Sequence, residues 1–216
     1  MGAIARAAAN NITTSGVFTS SAIANTSVTG ITVIANASDG ITFISSQTAS
    51  SSASLSFTSG LDSTYKAYKF VFVNIHPQND DLSLVFNFST DGGSNYNVTK
   101  TTTYFRTRHS ESDVTAELNY ATAHDVAQST GFADLSDSTS NDNDASTSGS
   151  FILFNPSSTT YVKHFISNFQ GYHDVSTSGN AYCAGYGNTT SAINAIQFKF
   201  SSGNIDAGTI YLYGIK

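Results

Sequence analysis

The chain has 216 residues, enough for one all-β domain of ordinary size or for one domain with a short appendage. Only 11% of the residues are charged, the formal net charge is −6 and the pI is near 5.1, which argues against the clustered Lys and Arg of a nucleic-acid-binding surface. A single cysteine, Cys183, excludes an intramolecular disulfide, and no apolar run approaches the roughly 20 residues of a membrane span.

Within those bounds a real core is expected. The apolar fraction is 39%, with 15 Phe, 11 Tyr and no Trp, and aromatics of this size bury enough area to hold a sandwich together. Ser and Thr make up roughly 60 residues, and their local hydrogen bonds suit turns and solvated strand faces better than helices. Residues 1–40 differ from the rest. Ala3 to Ala9 predicts a short helix, and 11–37 is a run of Thr, Ser, Asn and Gly with isolated Val17, Phe18, Ile23, Val28, Ile31, Val33 and Ile34. So few apolar groups cannot build a core, so this stretch reads either as an extended arm that orders against a partner or against its own copies, or as a flexible N-terminal arm. The first residues lack the apolar stretch of a signal peptide, which predicts a protein that stays in the cytoplasm or is assembled from it into something larger.

From Ile41 the strand signal is regular. The alternation predicts strands at 41–45, 54–57, 65–75, 82–89, 96–109, 114–120, 150–154, 160–169, 181–187, 195–200 and 209–215. Asp39-Gly40, His76-Pro77, Asp91-Gly92-Gly93 and Asn155-Pro156 mark the corners. In the third strand Tyr68, Phe70 and Phe72 share one face. The polar stretch 134–149 reads as a long exposed loop, and the last two strands, around Ser201-Ser202-Gly203-Asn204, read as a terminal hairpin stitched into a sheet. About ten short strands without helical periods predict an all-β fold, an antiparallel jelly-roll-like sandwich over 41–216 behind an N-terminal arm over 1–40.

Chemistry is sparse in this pattern. His76, His109, His124, His164 and His173 are scattered with no metal-ligand spacing, no nucleophile elbow accompanies the serines, and no acidic pair has the setting of a glycosidase, so no catalytic residue and no metal is expected. The acidic 141–144 offers oxygen donors for Ca²⁺ but lacks the glycine and terminal Glu of an EF-hand loop. Cys183, within the strand predicted at 181–187, reads as a small core residue. Tyr104, Arg106 and Arg108 share one side of a strand by their two-residue spacing. An aromatic ring beside two guanidinium forks suits a host surface glycan, while an interface between copies or a plain solvent face with ordinary cross-strand pairs is the reading that the pattern favours. Tyr172-His173-Asp174 is a second candidate binding loop.

Four segments carry a resemblance: 44–77 (ISSQTASSSASLSFTSGLDSTYKAYKFVFVNIHP), 91–99 (DGGSNYNVT), 154–165 (FNPSSTTYVKHF) and 189–215 (TTSAINAIQFKFSSGNIDAGTIYLYGI). They resemble a recurrent domain of virion proteins from marine tailed bacteriophages, of the tail-fibre and head-decoration type. The resemblance implies a non-enzymatic particle component without cofactor, located in the virion, with other virion proteins as partners and commonly a homotrimer. It also implies that the arm, through residues such as Ile4, Val17, Phe18, Ile23, Val28 and Ile31, attaches the domain to the particle. The alternative it leaves open is a receptor-binding carbohydrate module at a fibre tip, with Tyr104, Arg106, Arg108, Tyr172 and His173 as its ligand residues.

Overall fold

The computed structural model describes residues 40–173 and 176–216. The expected arm, with Ile4, Val17, Phe18, Ile23, Val28 and Ile31, and Asp174 of the candidate loop lie outside the described residues. Among the described residues the chain forms twelve strands: β1 Ile41–Thr48, β2 Leu55–Phe57, β3 Ala67–Pro77, β4 Leu84–Ser89, β5 Lys100–Ser110, β6 Ala116–Tyr120, β7 Ala133–Asp134, β8 Thr147–Phe154, β9 Lys163–His173, β10 Thr177–Gly187, β11 Ala195–Phe200 and β12 Ile205–Ile215. No described helix is long and apolar enough to cross a membrane.

The strands make two antiparallel sheets, one of eight in the order β1-β12-β3-β8-β9-β10-β5-β6 and one of four in the order β2-β11-β4-β7. They pack as a jelly-roll-like β-sandwich, the class that the alternation predicts. The small sheet covers part of one face of the large one, and the core lies between them. Tyr68, Phe70 and Phe72 of β3 are all buried, as their shared face requires, and Phe70 and Phe72 meet Phe198 from the opposite sheet edge-on. Phe86 of β4 packs on Phe151 of β8 and Phe165 of β9 with centroids at 4.9 and 5.0 Å. The aromatic content that the composition singles out is therefore what joins the two layers.

Two expectations are corrected. The last two strands are not a hairpin: β11 pairs with β2 and β4 in the small sheet, whereas β12 pairs with β1 and β3 in the large one. Both strands carry apolar rows that need a buried face. Placing Phe198 and Phe200 across the core from Ile210 and Leu212 buries both, and Gly203 at φ +67° turns the chain from one layer to the other. The C-terminal strand is nevertheless stitched into its sheet on both sides, between β1 and β3.

The stretch 134–149 is not an exposed loop throughout. Leu135, Ser136, Asp137, Thr139 and Ser140 are buried, and only 141–144 stands out in solvent. The edge of β4 holds this segment through its backbone: Leu135 N donates to Leu84 O at 2.8 Å, Thr139 N donates to Leu82 O at 2.9 Å, and Leu84 N donates to Ser136 Oγ at 2.9 Å. Hydroxyls and main chain thus satisfy one another, which lets a polar segment be buried without an apolar signature.

Candidate functional site

Strand β5 presents two different surfaces, because successive side chains leave opposite faces of a sheet. Tyr104, Arg106 and Arg108 do share a face, as their spacing predicts, but it is the inner one. Tyr104 has no exposed surface and stacks on the His124 imidazole, with centroids 5.0 Å apart. Its hydroxyl is buried without a hydrogen-bond partner, and burial first, then the Asp137 and Asp134 charges, push its pKa upward. A ring sealed in this way offers no stacking face to a ligand arriving from solvent.

The two guanidinium groups are engaged inside the protein. Arg106 Nη1 donates to Asp137 Oδ1 at 2.6 Å, and Arg108 Nε donates to Asp137 Oδ2. Arg108 also lies 4.0 Å from Glu117. Burial disfavours the Asp137 carboxylate, but the hydrogen bond from Arg108 and the charges of both arginines outweigh it, so the group stays below the usual carboxylate value. Because arginine only donates, His124 Nε2, 3.1 Å from Arg106 Nη1, must accept, which leaves the proton on Nδ1 to donate to Asp134. His173 Nε2 accepts from Arg108 Nη2 at 2.9 Å. His173 therefore joins the arginines, but at the buried end of strand β9 and not in an open loop, while its neighbour Tyr172 shares a hydrogen bond with Ser176 Oγ at 3.2 Å. The fold brings Tyr104, Arg106, Arg108 and His173 together as a lock that holds the 133–140 segment against β5. That arrangement corrects the expectation of an open glycan-binding face built from them.

The remaining expectations can be placed briefly. Cys183 is buried, and burial pushes its thiol up to about 12, so it is inert at neutral pH. Among the described residues no group of three or more His, Cys, Asp or Glu is arranged to hold a metal ion.

The outer face is where the unexpected chemistry lies. Over the adjacent strands β8, β9, β10 and β5, all four Lys and Arg side chains, Lys100, Arg106, Arg108 and Lys163, belong to the inward-pointing rows. The outward rows contain no Lys, Arg, Asp or Glu, only aromatic, aliphatic, hydroxyl, amide and imidazole groups. Lys100 donates to Gly131 O and Lys163 to Tyr161 O and Thr189 O, so the inward ammonium groups cap loop carbonyls at one end of the sheet. Outward, Phe105 and Tyr182 sit opposite each other in the register and stack nearly parallel, at 4.8 Å and 8°. Phe105 is 42% exposed, Tyr182 41% and Ile166 48%.

Sequence reasoning passed over Phe105 and Tyr182, since an aromatic on a strand is ordinarily a core residue. The only available signal was that Phe105 lies opposite in phase to the charged residues of its own strand. No family model matches the chain, and no curated protein and no solved structure matches it.

Proposed function

We propose that the protein is a non-enzymatic structural component of a tailed-phage virion, exposed on the particle as a tail fibre, head fibre or decoration and attached through its N-terminal arm. The virion assignment is supported by the resemblance of the four quoted segments. Action by surface contact is supported chiefly by one observation: four neighbouring strands turn every Lys and Arg inward and leave a broad uncharged face outward. A monomer's solvated sheet face ordinarily carries charge, and an uncharged face with exposed aromatic rings and Ile166 among its hydroxyls and amides marks an association surface. The titratable cluster around Asp137 is spent on internal ion pairs and hydrogen bonds, consistent with a structural role for it. Assembly takes place in the host cytoplasm, as a homotrimer joined to other virion proteins.

Immunogold labelling of intact particles with antibodies raised against residues 60–216 tests this reading. Labelled heads or tails are expected, and deletion of 1–37 is expected to remove the protein from particles. Unlabelled particles, or full incorporation of the truncated chain, would overturn it.

A further inference from the structure

The geometry points to a binding site for a neutral saccharide chain in a groove along the outward face of β10, between the Phe105–Tyr182 pair and the Tyr186–His164 pair. This rests on the reading of the protein as a surface-contact module and gives that contact a chemistry. Tyr182 and Tyr186 are four residues apart on one strand, so their rings stand about 13 Å apart along it. The second wall is the edge-on pair of His164 and Tyr186, with centroids at 6.4 Å. Between the walls the floor drops because small side chains lie there: Ala184 and Gly185 on β10, beside Thr101 and Thr103 on β5. Two hollows of about 310 and 330 Å³ share Thr103, Ile166 and Ala184, which makes them one groove.

The lining selects the occupant. No Lys, Arg, Asp or Glu lines either hollow, so nothing there rewards a phosphate, a uronic acid or a cationic peptide. The apolar elements are ring surfaces and Ile152 and Ile166, which suit the C–H faces of pyranose rings. Polar groups lie among them, available to the hydroxyls of a sugar. Asn168 Nδ2 is held by Asn180 Oδ1 at 2.7 Å, which fixes the amide and leaves its Oδ1 as an acceptor. Ser150 adds a hydroxyl that both donates and accepts, and Thr103, whose Oγ1 donates to Ala184 O at 3.3 Å, adds an acceptor. A second copy of this face laid over the first would bury these hydroxyls and amides against aromatic rings, at the cost of leaving polar groups unpaired. A saccharide brings a donor and an acceptor with every hydroxyl, and so satisfies them.

The test is a titration of the full chain with cellohexaose, laminarihexaose, mannohexaose and xylohexaose, with hexagalacturonate as the charged comparator. Tyrosine fluorescence provides the signal, since the chain has no Trp. Saturable binding of at least one neutral oligomer is expected, unchanged by salt, because no ion pair contributes. Phe105→Ala and Tyr186→Ala are each expected to weaken it about tenfold, the loss of one aromatic contact. Phe105→Leu, which keeps apolar bulk without a ring, guards against a folding defect, and Val114→Ala, outside the groove, should bind as the unaltered chain does. Any of three results overturns the site: no neutral oligomer saturates, the ring variants bind normally, or only hexagalacturonate binds. A chain that Phe105→Ala converts from a larger species to a smaller one without any saccharide bound would make this face an interface between copies and likewise overturn it. Labelled particles with no saccharide binding would remove the groove and leave the virion reading; binding without labelled particles would do the reverse.

Discussion

Phe105 and Arg106 are adjacent in the chain and lie on opposite faces of β5, and each is on the side that its side chain would ordinarily avoid. Inward, Arg106 and Arg108 converge on Asp137; outward, Phe105 stacks on Tyr182 in contact with solvent. The contrast teaches that burial follows available partners more closely than it follows side-chain polarity. The two guanidinium groups are tolerated inside because a carboxylate and one imidazole apiece are built to receive them, while the aromatic left outside marks a face that awaits a partner.

The contrast is broken most severely by Asp137→Ala. It strands two half-buried guanidinium groups and releases the 133–140 segment, and we expect a loss of about 3 kcal/mol, near the lower end for a broken buried pair because the arginine side chains keep 17% and 20% of their exposure. The measurement is the urea midpoint. Because the folded-state pKa of Asp137 is depressed, its contribution is fully present above the ordinary carboxylate value of 3.8 and is lost as pH falls through the lower folded value. The variant should therefore show less acid destabilisation in that window. A loss below about 1 kcal/mol would mean that these pairs behave as surface ion pairs.

The inward lysines sharpen the same comparison in the alkaline range. Burial lowers the Lys100 ammonium from 10.5 to about 8, so between those values the unfolded chain holds the extra proton and stability rises with pH. From pH 8 to 9.5 the expected gain from this group is on the order of 1 kcal/mol per unit, and Lys100→Met should flatten it. Lys163, lowered in the same direction, leaves a residual slope. Denaturation midpoints across that range in both proteins provide the check.

The smallest effect is expected at Tyr104→Phe, which removes a buried hydroxyl without a hydrogen-bond partner and keeps the stack on His124. Stability should be unchanged or higher by up to about 1 kcal/mol. A clear loss in thermal melting would show that the hydroxyl is bonded in solution.

Much of the fold was legible in the sequence, and the site was legible only in part. Alternation placed Tyr68, Phe70 and Phe72 on one face and bounded β11 correctly at 195–200, because period-2 patterning is local. The same period put Tyr104, Arg106 and Arg108 together but carried no information about which side of the sheet they take. That side is set by Asp137, 29 residues beyond Arg108, in a segment whose serines and aspartates look like solvated loop. The terminal arch failed as a hairpin for a related reason: a turn-rich linker between two alternating strands has the same sequence whether it joins neighbours in one sheet or crosses between two.

The most direct measurement is an NMR titration of the full chain with the neutral hexasaccharides, following side-chain resonances on both faces of β5. The expected result is that Phe105, Tyr182 and Tyr186 ring protons shift saturably with at least one of them, while the His124 and His173 imidazole protons stay in place. Shifts centred on His124 and His173, or none on either face, would contradict the division of β5 into an inner lock and an outer binding surface.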